Sequence, residues 1–240
     1  MANDDQISLF EFSQLEFSQL ESHPAPPPEF DPELIPTDAR VPIPAGTYQT
    51  MEQMKAHCNR CFRCGLGESR TNAVIGRGND KASIMIVGEG PGQNEDETGI
   101  AFVGKAGQLL DKILASVNLT ERDVYICNVV KCRPPNNRDP QPAEIEACNG
   151  YLREQIRLVN PKIILLTGKY AMLTLLGIKQ GITKVRGQWV ERDGRLYMPI
   201  FHPAYLLRNQ SREKGSPKWL MWQDIQAVRQ KLDEIQRGEG

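Results

Sequence analysis

The chain has 240 residues, 40 % of them hydrophobic and 25 % charged, with a formal net charge of −1, the balance of an ordinary globular protein. No apolar run approaches the roughly 20 residues that cross a bilayer, so no membrane span is expected, and the acidic opening MANDDQISLF lacks the apolar segment of a secretory signal. These features predict a cytoplasmic protein, where six cysteines point to metal binding, chemistry or packing rather than disulfides.

Residues 1–50 hold nine acidic residues and one base, giving −8, and eight of the 17 prolines. Such a composition cannot bury enough apolar surface to offset the entropy of ordering. It predicts a disordered tail over 1–50 and a globular domain over 51–240. The domain then holds 21 acids and 28 bases, or +7, a sign that suits a polyanion such as nucleic acid. Within the tail, EFSQL occurs in tandem at 11–15 and 16–20, too short for a solenoid. The segment Gln6-Ile7-Ser8-Leu9-Phe10 resembles the short peptide by which bacterial DNA-repair enzymes dock on the sliding clamp. In such a peptide a glutamine makes polar contacts and leucine and phenylalanine fill an apolar cleft.

Beyond the tail, TMEQMKAH (50–57) has helical character. Apolar runs predict strands at 82–87, 124–130, 162–167 and 196–201, each a buried strand by its length and flanks. Helical spacing predicts helices over 107–117, 143–158 and 169–176. A closing helix starts at Pro217, with Ser216 as N-cap and Ile225, Val228, Leu232 and Ile235 as one apolar stripe. Strands alternating with helices imply an α/β domain with a largely parallel sheet. Ligands of such sheets bind beyond the carboxyl ends of the strands. Gly88–Gly92, Asn128 and His202 all fall there.

Cys61 and Cys64 stand at C-x2-C spacing in the polar stretch HCNRCFRCGLGESR, where cysteine has no packing reason. A short loop lets two thiolates converge on one metal. Cys132 and Cys148 supply a second pair across a proline-rich loop. Spacing alone leaves a [4Fe–4S] cluster and zinc both open. Cys58-x2-Cys61 has the same spacing, and Cys127 lies inside a predicted strand, as a packing residue would.

The loop GEGPGQNEDETGIAFVGKAGQ (88–108) follows a predicted strand. Its glycines allow close approach of backbone N–H groups to a ligand. The spacing fits neither the dinucleotide fingerprint nor the Walker A loop. Glu89 would be held against the ligand, whereas Glu95, Asp96 and Glu97 read as a solvated acidic turn. His202, in FHPAYLLR, ends a predicted strand and is stiffened by Pro203. Tyr205, Leu206, Leu207 and Arg208 then form an apolar and basic tip, suited to wedging into a DNA duplex. The alternative is a loop that packs Leu206 and Leu207 into the core.

GEGPG-x-x-E-D-E-T-G, AFVGKAGQLL, CNVVKCRPPNNR-x-P, ITKVRGQW and FHPAYLLRN, in this order, resemble the family 4 uracil-DNA glycosylases, the iron–sulfur branch of their superfamily. The resemblance runs from about Cys61 to the closing helix. It implies a three-layer α/β/α sandwich around a four-stranded parallel sheet. It implies hydrolysis of the N-glycosidic bond of deoxyuridine in uracil-containing DNA, leaving an abasic site. Cys61, Cys64, Cys132 and Cys148 would hold a [4Fe–4S] cluster, with zinc the weaker alternative. Phe102 would stack on uracil, Asn128 would read its polar edge, and His202 would donate toward O2. Gly88, Gly90 and Gly92 would line the base, and Gly90 stands where family 1 members carry a water-activating aspartate. Glu89 is then the candidate for positioning water or stabilising the sugar cation. With no evident Schiff-base lysine beside these motifs, a monofunctional, monomeric, nucleoid-associated enzyme is expected. The competing reading is a metal-stapled DNA-damage-binding module without catalysis. A related binder that traps its product through a histidine-bearing insertion is disfavoured, since no histidine follows AFVGKAGQ.

Overall fold

A computed structural model describes residues 41–238. The tandem EFSQL repeats and the Gln6–Phe10 segment, read as a clamp-docking peptide, lie outside the described residues. The packed domain begins before residue 51, because Ile43 and Tyr48 are both buried. Glu154 holds this segment by accepting the backbone N–H groups of Gly46 at 3.0 Å and Tyr48 at 3.2 Å.

The sheet has six strands: β1 (Arg77–Gly78), β2 (Ile84–Gly88), β3 (Val124–Asn128), β4 (Ile163–Thr167), β5 (Val190–Arg192) and β6 (Arg195–Ile200), in the order β1-β3-β2-β4-β6-β5. The expected four-stranded, largely parallel sheet is therefore corrected to a mixed one. Parallel pairing is confined to β3, β2, β4 and β6, while β1 and β5 pair antiparallel at the two edges. The four inner strands are apolar runs that find cover on both faces. The edge strands are two and three residues long, too short to carry a period.

Successive side chains of the inner strands point to opposite faces. On one face Ile84, Ile86, Val124, Ile126, Ile163 and Leu165 join a core completed by helices α4 (Lys105–Ala115), α8 (Pro203–Arg208) and α9 (Pro217–Arg237). On the other, the Tyr125 hydroxyl donates to Met51 of α1 (Met51–Asn59) at 3.6 Å and accepts from Gln155 of α5 (Pro142–Val159) at 3.1 Å. Helices thus cover both faces.

The closing helix starts as its sequence dictates. Ser216 caps it by accepting the Trp219 N–H at 3.4 Å, with Pro217 at the first position. Ile225, Val228 and Leu232 are buried and Ile235 packs beside them. Two further helices, α6 (Lys169–Leu176) and α7 (Ile182–Val185), flank β4 and β6. At the end of α7, Arg186 Nε donates to the buried Asp224 of α9 at 2.7 Å. Its guanidinium also lies 6.0 Å from the Phe201 ring centre, beside His202.

Asp224→Ala removes the counter-charge of a partly buried guanidinium, whose other acceptor is the Leu220 carbonyl at 3.2 Å. Urea unfolding is expected to show a loss of about 3–5 kcal/mol, much of it recovered when Arg186→Met is added. A loss of about 1 kcal/mol or less, as for a surface pair, would show that this contact does not tie α9 to the domain.

Candidate active site

The carboxyl ends of the inner strands open into a cavity of about 760 Å³, lined by Glu89, Phe102, Asn128, Lys169 and His202 among others. Gly88 and Asn128 are the last residues of β2 and β3 and are register partners. A Cβ at Gly88 would lie 2.3 Å from Asn128 Oδ1 and 2.5 Å from Phe102 Cζ, so only glycine lets the amide and the ring meet there. Asn128 is 2 % exposed, and its Oδ1 has no hydrogen-bond partner. A buried amide oxygen left unsatisfied costs about 1–3 kcal/mol, and such an atom in a cavity is poised for a ligand's donor.

Phe102 is 6 % exposed and has φ = 54°. A bulky residue in the left-handed region costs on the order of 1–3 kcal/mol and persists only where the surroundings impose it. Its ring centre lies 5.9 Å from that of His202, tilted by 30°.

His202 caps α8. The Ala204 N–H donates to His202 Nδ1 at 3.1 Å, which makes Nδ1 the acceptor and leaves the ring proton on Nε2. Burial, with the nearby Arg208 guanidinium, lowers the imidazole pKa to about 4. The ring is therefore neutral at physiological pH, with one N–H free to donate. The same burial, with the Asp139 charge, raises Glu89 to about 7, against an opposing pull from Lys169.

The acidic run is a helix rather than the turn expected of it, and of its three acids only Glu97 is exposed. Residues Gln93–Thr98 form a helix, α3, with Gly92 as N-cap. Glu95 accepts the Gly92 N–H at 3.1 Å and the Gly104 N–H at 2.7 Å, so one carboxylate clips together the caps of α3 and α4. The buried Asp96 accepts the Thr71 N–H at 2.9 Å. Only the Gly92-x-x-Glu95 spacing signalled this cap.

The FHPAYLLR tip also differs from expectation. It is helix α8, not a loop, and Leu206 is 1 % exposed within the core. Leu206 packs where i and i+3 spacing sends it, so it is unavailable as a wedge. Tyr205 is half-buried against Phe201 at 5.2 Å between ring centres, leaving Leu207 half-buried and Arg208 exposed. Lys169, the first residue of α6, also lines the cavity, a residue that the motifs did not single out. Its position directly after a strand end was the overlooked signal.

Cys61, Cys64, Cys132 and Cys148, together with Cys58, line a second, small cavity. Cys127 is buried in β3 and does not line it. Burial pushes two of these thiols up, Cys132 to about 11 and Cys148 to about 12, so a cation is what would make them thiolates. Two donors already suit that state: Lys131 N–H to Cys148 Sγ at 3.3 Å and Arg70 Nη1 to Cys132 Sγ at 3.5 Å. The donor set fits a soft metal or cluster. Among the described residues, no group of three or more His, Cys, Asp or Glu stands in ligating geometry. Lys131 is fully buried and its amine donates to the Asn128 carbonyl and to Gln155 Oε1. It therefore runs between the cysteine cavity and the strand end that carries Asn128.

The Uracil DNA glycosylase superfamily model matches residues 75–226. A type-4 uracil-DNA glycosylase of Thermotoga maritima is 48 % identical over 167 residues, covering 69 % of this chain and 87 % of the relative. One from Sulfurisphaera tokodaii is 42 % identical over 191 residues, covering 75 % and 84 %. One from Archaeoglobus fulgidus is 42 % identical over 175 residues, covering 69 % and 88 %. By these matches and by the fold that carries its motifs, the chain belongs to the uracil-DNA glycosylase superfamily, with the type-4 enzymes as its kin.

Proposed function

We propose that the protein excises uracil from DNA by hydrolysing the N-glycosidic bond, leaving an abasic site. The observation that carries this reading is the unsatisfied Asn128 Oδ1 beside an aromatic plate and a neutral imidazole. A duplex hides the glycosidic bond, so the nucleotide must be extruded into the cavity and read there. Phe102 stacks on the pyrimidine. Asn128 accepts from the ring N–H and donates to the adjacent carbonyl, as an amide can. Bond cleavage leaves negative charge on the departing base and positive charge on the sugar. His202 Nε2–H donates toward O2 and stabilises the anion without transferring its proton. Donors of this kind are worth about 2.7–4 kcal/mol in comparable sites. Glu89, when ionised, holds the attacking water or faces the sugar cation, and Arg208 is exposed for a phosphate contact.

Cys61, Cys64, Cys132 and Cys148 would hold a [4Fe–4S] cluster in this reading, which would supply the charge that keeps two buried and two half-buried sulfurs as thiolates. Its role is to brace the chain behind Asn128. Anaerobically purified protein is expected to be brown, with iron and acid-labile sulfide in about equal amounts. A colourless protein carrying zinc would overturn the assignment.

His202→Ala and Asn128→Ala are each expected to lower kcat by about a hundredfold to a thousandfold with the fold intact by circular dichroism. The assay is a uracil-bearing oligonucleotide broken only after heating in alkali. Breakage without alkali would reveal strand cleavage through a lysine, with Lys169 the first suspect. An oligonucleotide that stays intact even in alkali would make the chain a binding module.

Because Glu89 is raised to about 7, its ionised form grows as pH rises through that value. The rate is expected to climb from pH 5 to 8 with a midpoint near the same point, and to lose that limb in Glu89→Gln. His202, neutral above about 4, adds no limb in this window. A limb that survives Glu89→Gln would take the carboxylate out of the mechanism.

A further inference from the structure

Phe102 is the one aromatic side chain of the site held in a left-handed backbone conformation, and something must hold it. Arg77, at the edge strand β1, is the group that does. Arg77 Nε donates to the Ala101 carbonyl at 2.8 Å and Nη2 to the Phe102 carbonyl at 3.4 Å. Its side chain is 11 % exposed, and its remaining N–H groups pair with Asp111 and Glu121. On the far side, the Phe102 carbonyl presses on α4, where a Cβ on Gly107 would lie 1.6 Å from that oxygen. The Phe102 carbonyl therefore lies against both a guanidinium and a helix, and the Ala101 carbonyl is held by the same guanidinium.

We infer that Arg77 is a positioning residue for base recognition: it pins the Ala101–Phe102 peptide so that the Phe102 ring stands ready to stack before any base arrives. The planar guanidinium suits this task, because one rigid fork reaches two successive carbonyls while two carboxylates steady its outer edge. Nothing in the sequence motifs marks Arg77, which lies outside the glycine loop and reaches it only through the fold. The inference rests on Phe102 being the stacking plate. It adds that the plate is set from behind, by a residue that never touches the substrate.

Losing Arg77 strands no buried charge, since Asp111 is half-exposed and Glu121 exposed, so Arg77→Ala is expected to fold. Its kcat/KM on a uracil-bearing oligonucleotide is expected to fall by about tenfold to a hundredfold, the scale of a reacting group misplaced by about 1 Å. The Ki of free uracil, a ligand with no DNA backbone, is expected to rise in parallel. Arg77→Lys, which can reach only one carbonyl at a time, should recover part of both. Asp111→Asn with Glu121→Gln removes the ion pairs but leaves the carbonyl bonds, and should keep both values near wild type. In a Phe102→Ala background, Arg77→Ala should add nothing further.

Wild-type uracil Ki and kcat/KM in Arg77→Ala would overturn the inference. So would effects that add fully to those of Phe102→Ala, or that appear equally in the Asp111→Asn, Glu121→Gln variant. If Phe102→Ala itself costs nothing, the stacking plate is lost as a reading, and a remaining Arg77→Ala effect would show that Arg77 acts on something else.

Discussion

The register of the parallel strands is the constraint from which the site follows. Because β2 and β3 pair with Gly88 opposite Asn128, the two strands end together, and the residues that leave them face one space. β4 and β6 end beside them, with Thr167 opposite Ile200. Each of these strands except β3 is followed within a few residues by a helix, so α3, α6 and α8 all begin at the cavity, and the first turn of α4 joins them. Helix starts carry partial positive charge and unpaired N–H groups. A leaving base that departs as an anion, and the phosphates beside it, both meet the favourable sign. A parallel arrangement produces this convergence without any residue being selected for charge.

The supports behind the cavity are buried or half-buried polar groups with hydrogen-bond partners, in contrast with the open valence on Asn128. Glu95 joins two helix caps, and Asp96 ties α3 to the segment around Thr71. Lys131 spans Asn128 and α5. Cys132 follows Lys131 directly and Cys148 lies on α5 about two turns before Gln155, so the cysteine cavity and Asn128 share a lysine and a helix. Hydrogen-bonded networks of this kind favour a unique geometry in low dielectric. Among the described residues, Asn128 Oδ1 is a buried side-chain acceptor without a partner, and it stands out beside them.

The inner strands were legible because continuous apolar runs ended by glycine or asparagine have few other uses, and the closing helix because Ser216-Pro217 and a four-residue stripe mark its start and face. The edge strands were not. Arg77–Gly78 and Val190–Arg192 are defined by pairing alone, and nothing local separates them from loop. Helix α3 was missed because QNEDET has no apolar face; its stability comes from capping and from a bond to Gly104, which is distant in sequence. Leu206 was misread for the opposite reason. An apolar residue beside a basic one fits a wedge and a core equally well, and burial against α4 decides. The candidate residues at strand ends could be read from motif and position. The backbone angle of Phe102 and the reach of Arg77 could not, since both are properties of tertiary contact.

One environment acts on Glu89 and His202 in opposite directions on the pH scale. Burial lifts the Glu89 carboxyl and lowers the His202 imidazole, and in each case it favours the uncharged form. At His202 a site that must accept a neutral pyrimidine gains from this, because a fixed charge would demand water that the extruded base has to displace, whereas Glu89 ionises only as pH rises through about 7. In the proposed reaction the negative charge arises later, on the departing base, and would meet dipoles already in place: the Nε2–H whose direction the Ala204 N–H sets, and the helix starts around it. Such dipoles need no reorganisation when the bond breaks. A permanently cationic histidine would hold the anion more strongly, but it would also carry its own solvation into the pocket. The geometry at Ala204 selects against it by occupying Nδ1 with a donor, where an imidazolium would have to donate instead.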